Sequence, residues 1–80
     1  MYYYVYILQA INYPENHYTG YTTDLKERIV KHNNGEVPHT SKYKPWKIET
    51  AIAFSEKDKA LSFEKYLKSH SGRAFAKKHF

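Results

Sequence analysis

The chain has 80 residues, which suffice for one domain with a thin core and leave no room for a second domain. It contains no cysteine, which excludes disulfides and thiolate sites, and no run approaches the ~20 apolar residues of a membrane-spanning helix. The formal net charge of +5 and the nine tyrosines favour a polyanionic partner, because lysine and arginine bind phosphates and aromatic rings stack on bases.

Two strands open the predicted fold. Residues 2–9 are rich in β-formers on both alternating faces, which predicts a central strand that is covered on both sides. Turn residues occupy positions 12–16, and residues 17–22 predict a short second strand in an antiparallel hairpin with the first. Gly20 lies inside the second strand, where glycine often marks a bulge or the close approach of another group.

A helix is predicted next, over residues 24–33. Asp24 is an N-cap candidate with Glu27 three residues later, and Gly35 is well placed as the C-terminal stop. Residues 37–47 are expected to be irregular, and a loop of that length is often functional or mobile. The loop holds a basic and aromatic patch, which is interpreted as a surface for a nucleic-acid backbone or, alternatively, as an ordinary solvated loop. The patch consists of Lys42, Tyr43, Lys44, Trp46 and Lys47.

A third strand is predicted over residues 48–54. The side chains expected on one of its faces are Ile48, Thr50, Ile52 and Phe54. Ser55 and Asp58 resemble a second capping box, which would start a helix that runs to about residue 69. Gly72 is expected to interrupt this helical stretch before a short basic helix or tail over residues 73–80, anchored by Phe75.

The predicted order is β-β-α-β-α-α in a single domain of residues 1–80. Helices that cover a three-stranded, mostly antiparallel sheet give an α+β fold. The N-terminal segment lacks the basic region and cleavage site of a signal peptide, so a cytoplasmic protein without membrane contact is expected.

Glu64 is the most unusual residue for its position. On a helix it lies about 40° from Ala60, inside the apolar stripe that also holds Phe63 and Leu67. A carboxylate there is desolvated unless a cation meets it, which suggests a metal ligand or a catalytic group. The alternative is a salt bridge to a neighbouring lysine. The two lysines within reach are Lys57 and Lys68.

Arg28 and His32 are four residues apart and therefore share one helix face. The arginine fork suits two phosphate oxygens at once, and the histidine can move a proton near neutral pH. Tyr6 and Tyr18 could position or deprotonate an attacking water, although a phenol needs a nearby cation or metal to become a base. For each of these four residues the alternative is an ordinary structural or solvated side chain.

Together these motifs resemble the GIY-YIG nuclease family. The segment Tyr4-Val5-Tyr6 stands where that family has Gly-Ile-Tyr, and Tyr18-Thr19-Gly20 stands where it has Tyr-Ile-Gly. Arg28 matches the family's arginine on the first helix, and Glu64 matches its single metal-binding glutamate. The resemblance covers essentially the whole chain. It is closest to small stand-alone members that are similar to the N-terminal GIY-YIG domain of the excision-repair nuclease.

The resemblance implies hydrolysis of DNA phosphodiesters with Mg²⁺ or Mn²⁺. Tyr6 and Tyr18 would line the cleft, and one of them, preferentially Tyr18, would activate or orient the water with the help of His32. Arg28 would bind the scissile phosphate, and Glu64 would hold the metal together with water and phosphate oxygens. The residues expected to bind the nucleic-acid backbone are Lys42, Lys44, Lys47 and Arg73.

The expected activity has little intrinsic sequence specificity, because family members that select a site usually rely on a further domain. A protein partner could supply that specificity, and RNA is an alternative substrate. A second interpretation is a non-catalytic nucleic-acid-binding module on the same fold, supported by the net charge and the basic loop. A third is a protein-interaction domain with Trp46 and Phe75 as its anchors.

Overall fold

Three strands and three helices make up the fold in the computed structural model, which describes residues 1–80. The elements are β1 (Tyr3–Ala10), β2 (His17–Thr22), α1 (Leu25–Asn33), β3 (Trp46–Phe54), α2 (Lys57–Leu67) and α3 (His70–His79), with a 3₁₀ turn at Ser41–Tyr43. This order confirms the predicted β-β-α-β-α-α arrangement and the α+β class. None of the helices combines the length and the apolar character that crossing a membrane requires.

The sheet is antiparallel, and its strand order is β2-β1-β3. β1 is therefore central, as its two apolar faces predict. One face packs against α2 and α3 through a buried cluster of Val5, Ile7, Ala60 and Leu67. The opposite face packs against α1 through a buried cluster of Tyr6, Leu8, Ala10 and Trp46. Each face of the central strand thus carries its own small core.

A β-bulge in β3 changes which of its side chains face each of the two cores. Ile7 pairs with Thr50 and Leu8 pairs with Ile48, so Glu49 is an extra residue without a partner in β1. Cross-strand partners lie on the same face of a sheet, so the extra residue reverses the alternation of side chains at this point. The prediction of a common face was therefore wrong for Ile48, which lies on the opposite face from Thr50 and is exposed.

The ends of α1 are as predicted. The side chain of Asp24 caps the helix, because its Oδ1 accepts a hydrogen bond of 3.0 Å from the backbone N–H of Glu27. The last helical residue is Asn33, and Gly35 follows just beyond it. A firmly capped α1 fixes the direction in which its side chains leave the helix, which matters for the candidate site.

The start of α2 differs from the prediction. The helix begins at Lys57 after Glu56, which makes no side-chain capping bond, so the capping box assigned to Ser55 and Asp58 is wrong. The capping-box pattern is a local signal, and here the residue before the helix is Glu56, one position later than the predicted Ser55. The apolar stripe of α2 is confirmed, because Ala60 and Leu67 are buried in the core.

Gly72 does not interrupt the helix, contrary to the prediction. It lies in the first turn of α3, where its backbone N–H donates a 3.1 Å hydrogen bond to the Ser69 hydroxyl that caps the helix. A Cβ atom on Gly72 would overlap the carbonyl oxygen of Tyr66 and would lie 2.7 Å from the Cα atom of Leu67. Glycine is needed here because the start of α3 touches the end of α2.

The segment between α1 and β3 is tied to the core by Trp46. The indole N–H donates to the carbonyl oxygen of Thr40 over 2.8 Å, and the backbone of Trp46 exchanges two hydrogen bonds with the side chain of Asn33. Trp46 is buried, so its predicted places in an exposed patch and as an interaction anchor were wrong. Phe75 packs edge-on against Phe63 within the protein, which confirms it as the anchor of α3 but not as an exposed contact.

Candidate active site

Four side chains singled out in the sequence lie together where β1 and β2 meet α1, and the charge of a fifth, on α2, acts on one of them. β1 and β2 supply the tyrosines, α1 supplies the arginine and the histidine, and α2 supplies the glutamate. The five residues are Tyr6, Tyr18, Arg28, His32 and Glu64. The ring centroids of the two tyrosines lie 6.5 Å apart, and the Tyr18 and His32 rings lie 5.1 Å apart. The charges of Arg28 and Glu64 are close enough to shift the pKa of Tyr6.

Gly20 is the reason why Tyr6 can reach the other members of the site. The two residues are cross-strand partners. A Cβ atom on Gly20 would overlap the hydroxyl oxygen of Tyr6 and would lie 2.5 Å from its Cζ atom. The missing side chain lets the phenol pass over β2, which confirms the prediction that this glycine accommodates a close approach.

His32 is buried, and both of its ring nitrogens are hydrogen-bonded. The hydroxyl of Thr40 donates to the carbonyl oxygen of Val37 over 3.3 Å, so it accepts the 2.7 Å hydrogen bond from Nδ1–H of His32. Nε2 then accepts from the hydroxyl of Tyr6 over 3.0 Å. This tautomer follows from the hydrogen-bond network, and it leaves the Nε2 lone pair directed at the Tyr6 proton.

Burial sets the protonation states of this pair. Burial is the main cause that raises the pKa of Tyr6 to about 12; Tyr18 and Glu64 raise it further, and the Arg28 guanidinium opposes the rise. Burial, followed by the charge of Arg28, lowers the pKa of His32 below its usual 6.5. At neutral pH the pair is therefore a phenol that donates to a neutral imidazole.

Glu64 is bound to a lysine of its own helix. Its side chain is 21% exposed, and its Oε2 lies 3.2 Å from Nζ of Lys68, one turn further along the helix. The salt bridge that was the alternative for Glu64 is thus present, with Lys68 rather than Lys57 as the partner. The charge of Glu64 also raises the pKa of Tyr6, as the smallest of the causes that act on this phenol.

The donor set around Glu64 suits one class of metal ion. No group of three or more His, Cys, Asp or Glu side chains could hold an ion in this protein. A single carboxylate beside phenolic oxygens fits Mg²⁺ or Mn²⁺, because such hard ions keep several waters and accept phosphate oxygens as further ligands. The same set does not fit an ion that needs a complete protein cage.

The four residues expected to bind a nucleic-acid backbone are all exposed, and they lie on three different parts of the fold. Lys42 and Lys44 flank Tyr43, whose ring packs edge-on against Tyr13 with centroids 5.1 Å apart. Tyr13 therefore takes the place that was assigned to Trp46 in the aromatic part of the patch. The remaining two residues lie on other elements: Lys47 is on β3 and Arg73 is on α3.

Arg73 lines a groove of about 950 Å³ beside the sheet, here called the α2–α3 groove. Its apolar floor is formed by Ile7, Leu67, Ala76 and Phe80, and the cations on its helical wall are Lys68, Arg73 and Lys77. Its opposite wall carries polar residues of the β1–β2 turn, β2 and the bulge, namely Glu15, Asn16, His17, Tyr18, Thr19 and Glu49. Two groove residues also take part in the features described above. Tyr18 is one of the candidate active-site residues, and Lys68 forms the ion pair with Glu64.

Sequence reasoning missed one contributor to the site and gave a second one only a limited role. Thr40 holds the imidazole of His32, but a threonine in an irregular loop carries no signal of that role. Lys68 was considered only as a salt-bridge partner, although the four-residue spacing of Arg73 and Lys77 already indicates a basic helix face next to it.

Comparisons with known proteins show the family of the chain. Residues 2–78 match the family model described as the GIY-YIG catalytic domain. A UPF0213 protein of Streptococcus pyogenes serotype M3 is 35% identical over 72 residues, which cover 89% of this chain and 76% of that protein. A UPF0213 protein of Haloquadratum walsbyi is 38% identical over 71 residues, which cover 88% of this chain and 78% of that protein.

A solved structure is similar over nearly the whole fold. The solution NMR structure of a UPF0213 protein from Bacillus halodurans matches with a TM-score of 0.58 and 36% sequence identity, covering 96% of this chain and 81% of that one. The extent of these matches agrees with the motifs Tyr4-Val5-Tyr6 and Tyr18-Thr19-Gly20 and with the three-stranded sheet. The chain therefore belongs to the GIY-YIG family, and its domain is of the nuclease type.

Proposed function

We propose that this chain is a metal-dependent endonuclease that hydrolyses DNA phosphodiesters with little intrinsic sequence specificity. The observation that supports this best is the convergence of two phenols, a guanidinium, an imidazole and a carboxylate around the hydroxyl of Tyr6. These groups match the needs of phosphodiester hydrolysis, which requires a proton acceptor, a cation for the phosphate and an anchor for a divalent ion.

Arg28 is the proposed phosphate ligand. Its side chain is half-buried beside the Tyr6 phenol. Its planar fork can donate to two non-bridging oxygens at once, and these oxygens carry the charge that grows in the transition state. A guanidinium that α1 already holds next to the Tyr6 phenol needs little reorganisation during the reaction.

Tyr6 and His32 are the proposed proton acceptors. As a water oxygen forms its bond to phosphorus, the water proton moves to the Tyr6 hydroxyl and the Tyr6 proton moves to Nε2 of His32. The bond between phosphorus and the leaving sugar oxygen breaks, and that oxygen takes up a proton from solvent. The hydrogen bond of Tyr6 to His32 makes it the partner of the imidazole, while the half-buried Tyr18 is left to orient the water.

The proposed hydrolysis also requires a divalent metal ion, which must bind from solution. Glu64 would hold Mg²⁺ or Mn²⁺, and the bound ion would act as a Lewis acid that stabilises charge on the phosphate oxygens. The exposed basic residues are suited to the phosphate backbone, which carries no sequence information. This agrees with low intrinsic specificity, which a protein partner would have to increase.

Nicking of supercoiled plasmid tests the proposal. We expect cleavage by the wild type with Mg²⁺ or Mn²⁺, no cleavage in EDTA, and a loss of at least about 100-fold in Glu64→Gln. Glu56→Gln is the matched control, because Glu56 is an exposed glutamate at the start of the same helix and should be dispensable. Equal cleavage by Glu64→Gln and the wild type would point to a contaminating nuclease and would end the proposal.

The same experiment addresses the second interpretation. A non-catalytic binding module would bind DNA in a salt-dependent manner in EDTA, would show no turnover with any metal, and would be little affected by replacing Glu64. RNA tested in parallel with DNA of the same sequence would show which polymer the site cuts.

A further inference from the structure

Lys68 belongs to two features at once. Its ammonium is bound to the Glu64 carboxylate over 3.2 Å, and its side chain lines the α2–α3 groove together with Arg73 and Lys77. We propose that Lys68 couples the two: a divalent ion at Glu64 displaces the ammonium, and the freed ammonium joins Arg73 on the groove wall as a ligand for the phosphates of the bound strand. This inference rests on the proposed function, because it assigns Glu64 to the metal.

The exposure of the two side chains indicates which of them moves. The Lys68 side chain is 51% exposed, whereas that of Glu64 is only 21% exposed. The backbone N–H of Lys68 donates to the carbonyl oxygens of Glu64 and Lys65, each over 3.2 Å, so its Cα position is fixed. Only the flexible four-carbon stem of the lysine has to rotate, and the carboxylate stays in place.

The ion pair is weak enough to be exchanged. The Lys68 ammonium is exposed, and ion pairs one helical turn apart contribute little to stability, so a doubly charged ion with oxygen preference can displace it. In the metal-free protein the ammonium neutralises a carboxylate that burial would otherwise penalise. Lys68 thus holds the site ready for the ion and lowers its affinity for the ion at the same time.

The groove gives the released ammonium a second set of partners. Arg73 and Lys77 stand one turn apart on α3, and neither has a carboxylate within 4.0 Å in the structure. The opposite wall carries Glu15 and Glu49, and the latter is bound to His17 over 3.1 Å. The phosphates of a strand would therefore lie on the helical wall, where Lys68 adds a third positive charge.

Thermodynamic linkage between binding of the ion and binding of the strand makes the exchange of Lys68 measurable. If the ion releases Lys68 for the strand, then the ion must strengthen binding of the strand, and the strand must strengthen binding of the ion by the same factor. A surface ion pair of this kind corresponds to a factor of about twofold to fivefold in an equilibrium constant. The effect should disappear when the lysine is replaced by a side chain of similar length without charge.

The first experiment measures Mn²⁺ affinity by electron paramagnetic resonance of the free ion, with no nucleic acid present. We expect Lys68→Met to bind Mn²⁺ about twofold to fivefold more tightly than the wild type. Lys65→Met is the matched control, because it removes the same charge from the residue next to Glu64 but breaks no ion pair with it. Equal gains in both variants, or no gain in Lys68→Met, would overturn the proposed exchange.

The second experiment measures binding of a fluorescent DNA duplex by anisotropy, in Mn²⁺ and in EDTA at matched ionic strength. Every protein in this experiment carries Arg28→Lys, which is expected to slow cleavage about 100-fold, so the wild type is here the chain with Lys68 in that background. Gel analysis after each titration checks that the duplex is intact. We expect Mn²⁺ to strengthen binding to the wild type about twofold to fivefold and to leave Lys68→Met unchanged. Arg73→Met should weaken binding equally in both buffers. The same gain from Mn²⁺ in Lys68→Met as in the wild type would overturn the coupling.

Failure of this inference can be told apart from failure of the proposed function. If Glu64→Gln retains Mn²⁺ affinity and cleavage, the assignment of the metal to Glu64 fails and the coupling fails with it. If Glu64→Gln loses both properties while Lys68→Met behaves like Lys65→Met, the nuclease proposal stands and only the exchange of Lys68 is refuted.

Discussion

The hydroxyl of Tyr6 donates a hydrogen bond of 3.0 Å to Nε2 of His32, and both residues are almost completely buried, with 1% and 0% of their surfaces exposed. The bond joins β1 to α1 inside the core. A buried polar atom that loses its partner costs about 1–3 kcal/mol, so the same contact contributes to stability and to the proposed proton transfer. Stability measurements can therefore examine the site without any assumption about activity.

Thr40→Val tests the role of the hydroxyl that accepts from Nδ1–H of His32. Valine has nearly the same shape but leaves the buried N–H without a partner, so we expect a loss of about 1–3 kcal/mol in the free energy of unfolding. Urea denaturation measures this loss. Thr23→Val, at an exposed position, should change the stability by less than about 0.5 kcal/mol. Equal midpoints for the two variants would contradict the hydrogen-bond assignment.

Gly20→Ala should displace the Tyr6 phenol, because the added methyl group meets its hydroxyl oxygen and ring. We expect a loss of about 1–3 kcal/mol, and a similar loss for Tyr6→Phe, which removes the hydrogen bond to His32 directly. Both changes break the same hydrogen bond, so their effects should not add. The double variant should lose at least about 0.5 kcal/mol less free energy of unfolding than the sum of the two single losses.

Gly72→Ala provides the control for this double-mutant cycle. It disturbs the contact between α2 and α3 on the other side of the sheet, so its loss should add to that of Tyr6→Phe. Strict additivity for the pair of Gly20→Ala and Tyr6→Phe would show that the glycine does not act through the phenol.

The buried His32 predicts a decline of stability in mild acid. Its pKa in the folded protein is lower than the 6.5 of the unfolded chain, so below pH 6.5 the unfolded state binds more protons. The contribution is fully present above pH 6.5 and is lost as the pH falls toward the lowered pKa. Urea midpoints between about pH 5 and about pH 7.5 should show this slope in the wild type.

His32→Gln should flatten that slope, although it should also lower the stability at neutral pH. His39→Gln, at an exposed position in the loop, should keep the slope of the wild type. An unchanged slope in His32→Gln would mean that another group causes the acid sensitivity.

Arg28→Lys keeps the positive charge but loses the planar fork. We expect cleavage to fall by about 100-fold or more, because a single ammonium cannot donate to two phosphate oxygens in the same geometry. Binding of DNA in EDTA should change by less than about threefold, because the net charge is the same. Lys26→Arg, on the exposed side of the same helix, should leave both quantities unaltered. A large loss of binding without a loss of turnover in Arg28→Lys would assign the arginine to docking.

The features of the fold that could be predicted are those that depend on residues close together in the sequence. The cap at Asp24 and the hairpin between β1 and β2 depend on neighbouring residues and appear as expected. The faces of β3 could not be predicted, because the bulge at Glu49 depends on the register with β1. The place of Gly72 inside α3 could not be predicted either, since the reason for the glycine is a contact with the end of α2.

The candidate site shows the same division. Tyr6, Tyr18, Arg28 and Glu64 were expected from the resemblance to a family, and the structure brings them together. Their arrangement was not expected: the hydrogen bonds make Tyr6 rather than Tyr18 the partner of the imidazole. The contact between His32 and a loop threonine requires a folded loop, and no pattern in the chain reveals it.

The extra residue in β3 also determines at which position this strand can lose a residue without a change of register. Without Glu49, Ile48 and Thr50 would be neighbours in sequence and could keep their present partners in β1, so Trp46 would still reach Thr40. Loss of Lys47 instead would turn Trp46 to the opposite layer and would remove the support of the loop behind the imidazole. Among natural variants of this fold, length changes in the strand should therefore be found at the bulge and not next to the tryptophan.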